Sequence, residues 1–548
     1  MMEKETLEAD VLCVGGGIAG LMAAIRASEL GAKVIVAEKG NSLRSGGGAM
    51  GNDHFACYIP DVHGPDFKPV VDELRLGQMA GRLRNPEIVQ VWFEKTFDII
   101  KLWDTWGIPM KYEGKYEFAG HSFPGRPQAA MLKYAGLMQK PVLTAEARKR
   151  GVTIVNRVMV FELLGDNGVT GAIGVSTRED KIIQFKAKSV VLGTGVLRRL
   201  YPGPTPGWAA NVEYPGTTVG DGRAMAYRLG AELVDMEMLG LHAGPKYFVR
   251  SGQGTWVGVV RDPQGSPIGP FVTRPDRKCG DMIIGLNKGL FSDHAKSGRG
   301  PLYMDCRGIS DEDLDYMKYW LKHEGNMALI DYLEEEGIDL RKNPVEFMTY
   351  DAYSVGTLHC NARAETSVKG LYAAGDETLG GISAAATFGW IAGENAARYA
   401  KGAQPPSTDK MSRTVEEKKA LLEDIRGREV GPDWREASIA LQQIMNDYAG
   451  SIRSETLLEA GLIHLQRLKK KAYATMIARN QHELMRSLEV MNLLDLAELV
   501  FIAANERKET RGLHVRADYP FTNPLLNKKI AVRKSGNKPV ITWKPSGG

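Results

Sequence analysis

Three glycines and one acidic residue near the amino terminus have the types and spacing needed to hold a diphosphate. Gly15, Gly17 and Gly20 fit the pattern Gly-x-Gly-x-x-Gly, and Glu38 follows Gly20 by 18 residues. The first glycine permits a sharp turn, the second lets a diphosphate approach the backbone, and the third lets a helix pack closely on a strand. The amide groups at the start of that helix face the negative charge. Together these residues predict a dinucleotide-binding site.

The acidic residue narrows the class of dinucleotide. The Glu38 carboxylate can accept hydrogen bonds from ribose hydroxyls but would repel a 2′-phosphate, so NAD or FAD is favoured over NADP. The competing interpretation is a glycine-rich turn that only packs tightly. That interpretation explains the glycines and leaves Glu38 without a purpose.

Strands and a helix occur around these residues in the required order. Residues 10–14 and 33–38 are nearly continuous apolar runs, as expected of parallel strands buried on both faces. Residues 18–30 carry small and apolar side chains at helical spacing, and Gly31 ends that helix. We therefore expect a βαβ unit with a right-handed crossover.

Composition and charge exclude several other classes of protein. The 548-residue chain is 43% hydrophobic and 25% charged, as is ordinary for a globular protein. A net charge of +4 is too small to indicate a nucleic-acid partner. No two of the five cysteines are separated by two residues, so we expect no metal or iron-sulfur cluster held by this chain alone.

The amino terminus and the least polar long segment indicate where in the cell the protein is expected. Acidic residues stand where a secretory signal would be apolar, and residues 379–393 are too short and too rich in small side chains to span a bilayer. We therefore expect a cytoplasmic protein without direct membrane insertion.

Five further segments, taken in order, resemble the flavoprotein family of succinate dehydrogenase, fumarate reductase, L-aspartate oxidase and adenylylsulfate reductase. They are residues 44–48 (RSGGG), 190–195 (VVLGTG), 220–227 (GDGRAMAY), 370–376 (GLYAAGD) and 507–514 (RKETRGLH). No single segment is decisive, but their order is specific, and the resemblance extends from about residue 8 to residue 520.

The resemblance implies an FAD cofactor and residues that hold it. In the family the Gly375-Asp376 region closes over FAD and the Asp221 segment also touches it, although either acid could instead cap a nearby helix. Succinate dehydrogenases carry a flavin-linking His just after the Arg-Ser pair, where this chain has Gly46, so we expect noncovalent FAD. The expected cofactor-binding residues are Gly15, Gly17, Gly20, Glu38, Lys39, Ser45, Gly48, Thr194, Gly195, Asp221, Gly375 and Asp376.

The fold class that we predict is α/β, with a Rossmann-like FAD-binding domain, an inserted α+β capping domain and a C-terminal helical bundle domain. Changes in composition and periodicity set the expected boundaries. These boundaries are 1–240 and 354–404 for the two parts of the FAD-binding domain, 241–353 for the cap, 405–520 for the helical domain and 521–548 for a C-terminal tail.

The residues that would bind fumarate or succinate are mostly replaced. His242 matches the first substrate histidine of the family. Gly280 stands where the proton-donating arginine is expected, Ala352 where the second histidine is expected, and Thr378 where the carboxylate-binding arginine is expected. Each buried charged contact removed costs about 2–5 kcal/mol, so chemistry on these two dicarboxylates is disfavoured.

The predicted cap offers other cations. We expect His242, Lys246, Arg250 and Arg274 to orient and protonate a small anionic substrate. Arg261, Arg277 and Trp256 lie in the same segment, which loosely resembles adenylylsulfate reductase. The competing interpretation is a solvated basic loop.

Two functions remain open from the sequence. In the first, an FAD-dependent oxidoreductase passes hydride or electrons between a small anionic substrate and an iron-sulfur or soluble partner. In the second, an electron-transfer flavoprotein subunit relays electrons within a larger redox complex and has no small substrate. The residues alone do not identify the substrate, the direction of electron flow, the partner or the oligomeric state.

Overall fold

The computed structural model describes most of the chain. The described residues are 2–69, 71–72, 85–118, 131–166, 168–203, 215–246, 248, 255–268, 274–277, 289–404 and 409–546. Among the helices of these residues, none combines the length and the apolar character that crossing a bilayer requires.

A mixed seven-stranded sheet forms the centre of the FAD-binding domain. Its path is β5-β2-β1-β8-β7-β6, with β15 also pairing with β8. The strands are β1 (Glu3–Val14), β2 (Val34–Glu38), β5 (Thr153–Asn156), β6 (Val158–Gly165), β7 (Val169–Ser176), β8 (Lys181–Leu192) and β15 (Leu371–Ala373). Strands β1, β2, β5, β8 and β15 pair in parallel, whereas β6 and β7 extend the sheet as an antiparallel meander.

Helix α1 (Ile18–Glu29) connects β1 to β2 and packs against α9 (Ile382–Gly402). The two helices approach so closely that a Cβ on Gly389 would lie 2.4 Å from the Ala19 carbonyl oxygen, and one on Gly393 would lie 2.2 Å from that of Ala23. Small residues are therefore required along this contact. The small-residue run seen in the sequence is a buried helix interface.

Further helices and a small ribbon complete this domain. They are β3 (His54–Ala56), α2 (Pro60–His63), α3 (Pro86–Thr105), β4 (Met131–Lys133), α4 (Gln139–Lys149) and α5 (Asp221–Arg228). Helix α3 buries Trp92, Phe93, Ile100 and Trp103.

The cap is built on a four-stranded antiparallel sheet in the order β10-β13-β12-β11. These strands are β10 (Leu239–Pro245), β11 (Val259–Arg261), β12 (Leu302–Asp305) and β13 (Val345–Ser354). The described cap helices are α6 (Leu290–Lys296), α7 (Asp311–Leu321) and α8 (Met327–Glu335), with the π-helical segment Lys322–Asn326 joining the last two. Trp256, Leu302, Met317 and Phe347 are among the side chains of its separate apolar core.

The carboxyl-terminal part is helical and ends in a hairpin. Its helices are α10 (Asp409–Gly427), α11 (Trp434–Tyr448), α12 (Glu455–Thr475) and α13 (Gln481–Glu506). Helix α13 is buried on nearly all sides, as the central helix of a bundle must be. The last strands, β16 (Lys528–Ser535) and β17 (Lys538–Pro545), extend a sheet with β9 (Leu233–Val234) and β14 (Thr357–Leu358). The predicted fold class is confirmed, and the segment expected only as a tail carries this hairpin.

Candidate functional site

A long cleft opens where β1, β2 and β8 end. The carboxyl edge of parallel strands is where nucleotides bind in open α/β sheets. The empty volume of the cleft is about 1370 Å³, including the part that is open to solvent. Eleven of the twelve predicted cofactor-binding residues line it, namely Gly15, Gly17, Glu38, Lys39, Ser45, Gly48, Thr194, Gly195, Asp221, Gly375 and Asp376.

The three fingerprint glycines have different steric roles. Gly15 has a φ of 99°, and a Cβ there would lie 2.4 Å from the Gly193 carbonyl oxygen. A Cβ on Gly20 would lie 1.8 Å from the Gly15 carbonyl oxygen, whereas one on Gly17 would meet nothing closer than 3.9 Å. The fold itself therefore requires Gly15 and Gly20. The space beside Gly17 belongs to the cleft.

Glu38 closes the adjoining turn. One of its carboxylate oxygens accepts a hydrogen bond from the Gly16 amide at 2.6 Å, and the other accepts one from the Gly40 amide at 2.6 Å. Lys140, a residue that the sequence did not single out, donates to the Gly16 carbonyl oxygen and is fully buried. Burial lowers the pKa of Lys140 to about 8, although the charge of Glu38 opposes this change.

Lys39 and Asp221 belong to a buried charge network. The ammonium of Lys39 lies 2.7 Å from an Asp221 oxygen and 2.8 Å from a Glu489 oxygen. Burial raises the pKa of Glu489, but the charges of Lys39, Arg199 and Arg486 outweigh it and hold that pKa at about 2. Glu489 and Arg486 come from α13, so the helical domain forms one wall of the cleft together with His482 and Met485.

Arg223 fixes the far wall of the cleft. Its guanidinium donates to the carbonyl oxygens of Gly195 at 2.8 Å, of Gly356 at 2.6 Å and of Asp376. Thr194 donates to Glu377 and accepts from the Gly222 amide at 2.9 Å. The segments that resemble the family thus meet through one arginine. The sequence analysis assigns no role to Arg223, which is only one residue of the segment 220–227.

Ser45 provides a test of whether a cofactor fits. Its buried hydroxyl lines the cleft and makes no hydrogen bond within the described part of the chain. A buried hydroxyl without a partner is costly, and a ligand that fills the cleft would satisfy it. The fingerprint backbone, the open face of Gly17 and this hydroxyl all suit a dinucleotide.

The candidate substrate residues are more scattered. His242 on β10 is 4% exposed, and its ring stacks on Tyr353 of β13 at 4.8 Å between ring centres. Lys246 pairs with Glu346 at 2.9 Å. Arg274 is largely exposed and pairs with Asp276 at 2.6 Å, and Arg250 lies outside the described residues.

Two other basic residues of the cap, Arg261 and Arg277, also have acidic partners. Arg261 lies 2.9 Å from Asp305, and Arg277 lies 2.6 Å from Asp313. His359, which follows the cap along the chain, lies 3.1 Å from Glu232.

The structure describes two of the three positions at which a substrate-binding residue of the family is replaced. Ala352 lies on β13 beside Tyr353, opposite Leu241 of β10. Thr378 is buried, and it partly opposes the effect of burial, which raises the pKa of the Cys360 thiol to about 11. Neither side chain brings a charge. Gly280, the third position, lies outside the described residues.

The structure brings together a group of polar residues that the sequence did not predict. Asp53 and Lys133 form an ion pair in which both side chains are fully buried. Thr255 of the cap donates to Asp53, and the Nδ1 of His54 lies 2.7 Å from the other Asp53 oxygen. Glu324, from the π-helical segment, reaches within 3.5 Å of His54. These five residues are called the interface cluster below.

Comparisons with known proteins agree with this geometry. A family described as "FAD binding domain" matches residues 10–389, and one described as "Fumarate reductase flavoprotein C-term" matches residues 438–545. One subunit of the fumarate reductase (CoM/CoB) of Methanothermobacter marburgensis is 28% identical over 96% of this chain and 99% of its own. The L-aspartate oxidase of Vibrio cholerae is 26% identical over 94% of this chain and 96% of its own.

A solved structure shares the whole architecture. Adenylylsulfate reductase from Archaeoglobus fulgidus superposes with a TM-score of 0.86 at 23% identity, covering 99% of this chain and 96% of that one. At this identity the likeness concerns the fold. Because the FAD binding domain matches well over half of the residues and the fumarate reductase flavoprotein region follows it in order, the chain belongs to this family of FAD-dependent oxidoreductases.

Proposed function

We propose that the chain is a flavoprotein subunit that passes hydride or electrons between a small anionic substrate, other than fumarate or succinate, and an iron-sulfur or soluble partner. The observation that carries the proposal is a dinucleotide cleft with its walls in place, beside which two carboxylate-binding groups are replaced, by Ala352 in the cap and by Thr378 in the FAD-binding domain. FAD would supply a ring that accepts or gives an electron pair. The chain would supply the binding site and the proton.

Noncovalent attachment of FAD is part of this proposal. Gly46 has a φ of 80° and lines the cleft where related succinate dehydrogenases carry the linking His. Glycine has no side chain that could form the bond. Precipitation with acid should therefore release the yellow cofactor into the supernatant, and a flavin that stays with the pellet would contradict this part of the proposal.

The cofactor contacts follow from the walls of the cleft. The backbone from Gly15 to Gly20 and the start of α1 would hold the diphosphate. Glu38 would accept hydrogen bonds from ribose, and Ser45 has a hydroxyl ready to bind the cofactor. The remaining predicted residues would contact the cofactor from β2, the Ser45 loop, β8, α5 and the segment after β15, and they are Lys39, Gly48, Thr194, Gly195, Asp221, Gly375 and Asp376.

The substrate would bind between the FAD-binding domain and the cap. His242 is buried, and Tyr353 holds its ring in one orientation, as a substrate-orienting residue requires. Lys246 and Arg274 have acidic partners within the cap, and both would have to exchange those partners for an anion. Arg250 stays a prediction of the sequence.

A second candidate is an electron-transfer subunit without its own small substrate. The ion pairs of Lys246, Arg261 and Arg274 favour it, because cations already paired offer less attraction to an anionic substrate. In either case we propose a partner subunit, which the family resemblance suggests carries an iron-sulfur cluster. The Methanothermobacter relative is itself one subunit of its fumarate reductase. A cytoplasmic location is proposed with it.

Anaerobic reoxidation distinguishes the two functions. The purified chain is reduced with dithionite, and the return of the flavin absorbance is followed with enoates, adenylylsulfate, disulfides and a ferredoxin-like carrier. Catalytic reoxidation by one small compound supports the enzyme. Silence to every small compound, with rapid exchange to the carrier, contradicts it and favours the relay.

His242→Ala tests the substrate side of this proposal. Reoxidation by the active compound should slow by about 10²-fold or more, because the group that orients the substrate is lost, while the flavin content stays unchanged. His464→Ala, at an exposed position on α12, is the control. Unaltered kinetics in His242→Ala would remove this residue from the active site.

A further inference from the structure

The interface cluster lies where the FAD-binding domain meets the cap. The backbones touch there: a Cβ on Gly51 would lie 2.3 Å from the His323 carbonyl oxygen, and one on Gly325, whose φ is 94°, would lie 2.8 Å from that of Met50. The cluster is therefore held at a fixed junction of two domains. Substrate is proposed to bind at the same junction.

The cluster is also close in sequence and structure to the cofactor cleft. His54 follows Gly48, which lines the cleft, by six residues. Strand β3, which carries His54, packs against α9, and Ile382 at the start of α9 lines the cleft. Strand β3 thus packs against a helix that begins at the cleft.

The geometry of His54 is that of an oriented acid–base group. An ionised carboxylate only accepts hydrogen bonds, so the contact of 2.7 Å with Asp53 places a proton on Nδ1. The Nε2 atom makes no hydrogen bond within the described part of the chain. The His54 side chain is 23% exposed, whereas those of Asp53 and Glu324 are 0% and 2% exposed. Nε2 is therefore the atom of this group that is open to a ligand.

The surrounding charges favour a protonated imidazole. Burial lowers the pKa of His54, but Asp53 and Glu324 raise it to about 9. Burial and the negative charge of Asp53 raise the pKa of Glu324 to about 7. The other titratable groups that face the cluster are Lys133 of β4, Tyr316 of α7 and His323 of the π-helical segment.

A divalent cation is the alternative occupant of this site. The side chains of Asp53, His54 and Glu324 each place one ligand atom within 4.8 Å of the others. However, the Lys133 ammonium already contacts Asp53 and lies 3.0 Å from the Thr255 hydroxyl. A divalent cation would add two positive charges beside this buried ammonium, whereas a protonated His54 adds one, so an acid–base function agrees better with the charges.

We propose that His54 is the acid–base catalytic residue of this site, with Asp53 and Glu324 as positioning residues. The inference rests on the proposed function and names the proton donor that replaces the missing arginine. When the substrate accepts an electron pair, the N–H bond at Nε2 breaks and the proton bonds to the substrate atom that has become negative. The neutral imidazole then takes a proton from water. In the oxidative direction the same atom accepts the proton.

Reoxidation kinetics of His54→Gln test this assignment in the FAD-loaded protein. With the active compound of the panel, we expect a rate about 10²–10⁴-fold lower than in the wild type and a flavin content that is unchanged. The wild-type rate should fall as pH rises through about 9, and the variant should lack this inflection. His464→Gln is the matched control.

A wild-type rate and inflection in His54→Gln would overturn the inference and leave the proposed function standing. If the whole panel is silent in the wild type, the proposed function fails, and the catalytic role of His54 fails with it. Binding of one equivalent of Zn²⁺ that is lost in His54→Gln would also overturn the assignment in favour of the cation.

Chemical labelling gives a readout that does not depend on activity. Diethyl pyrocarbonate reacts with the neutral imidazole, and peptide mass measurement locates the label at His54. Labelling should rise only near pH 9, well above the range for free N-acetylhistidine, and Glu324→Gln should shift this rise to lower pH. Labelling of His54 in the range of the free compound, or at no pH, would contradict the geometry.

Discussion

The cofactor cleft and the substrate side of the cap are built in different ways. The cleft is shaped mainly by backbone atoms of neighbouring segments, as between Gly15 and Gly193. The cap side depends on charged side chains from distant segments, as between Asp53 and Glu324. Backbone cradles follow from local sequence patterns, whereas charge clusters depend on which distant residues meet. The difference explains why the cofactor is easier to assign than the substrate.

A pair of glycine variants gives the largest expected effect and tests the first half of this comparison. In Gly20→Ala the new Cβ would lie 1.8 Å from the Gly15 carbonyl oxygen, so β1 and α1 must separate and FAD should be lost. In Gly17→Ala the Cβ meets no protein atom within 3.9 Å, so the apoprotein should fold normally. Its affinity for FAD should still weaken by about 1–3 kcal/mol, because the methyl group fills cofactor space.

Thermal unfolding of the apoproteins and titration with FAD separate these outcomes. The wild-type apoprotein is the reference for both variants. If Gly17→Ala binds FAD as tightly as the wild type, the space beside Gly17 does not hold the cofactor. If Gly20→Ala keeps both its fold and its flavin, close packing is not what requires this glycine.

Lys133→Met tests whether charged side chains hold the cap side together, and its expected effect is smaller. The substitution breaks a fully buried ion pair and leaves His54 as the remaining cation beside Asp53; breaking such a pair typically costs about 3–5 kcal/mol. The midpoint of thermal unfolding, measured with saturating FAD, should fall accordingly. His54 and Thr255 already contact Asp53 in the wild type, so neither takes the place of the lost ammonium.

Lys246→Met is the matched control, because its ion pair with Glu346 is partly exposed, at 30% and 32% of the two side chains. Such pairs contribute about 0–1 kcal/mol, so the midpoint should change little. Equal effects of the two substitutions would show that the interface cluster has no special part in joining the cap to the FAD-binding domain.

The sequence predicts the fold class and the cofactor because both depend on contiguous patterns. Buried strand runs, the fingerprint glycines and Glu38 lie within the first 40 residues, and the fold class is confirmed. Lys140, Arg223 and Glu489 also shape the cleft, but each reaches it from a separate segment. Without an alignment, nothing in the sequence indicates that such residues meet.

The interface cluster is another group of residues whose meeting the sequence does not reveal. In the sequence, His54 is marked only by its position six residues after Gly48, and the cluster residues Lys133 and Glu324 are about 80 and 270 residues away along the chain. The basic residues of the cap are predicted from their type alone. Some of their acidic partners, such as Glu346 for Lys246, come from distant segments and change the charge that the basic residues present.

Arg274→Ala should have the smallest effect and sharpens the choice between a substrate residue and a solvated loop. The Arg274 side chain is 69% exposed, and its partner Asp276 is only two residues away, so stability should change by less than about 0.5 kcal/mol. If the arginine binds no substrate, the rate of reoxidation by the active compound should also stay within about twofold of the wild type at any concentration. A rise in KM at constant kcat would instead show that Arg274 leaves Asp276 to bind the anion, and the substrate side of the cap would extend to this loop.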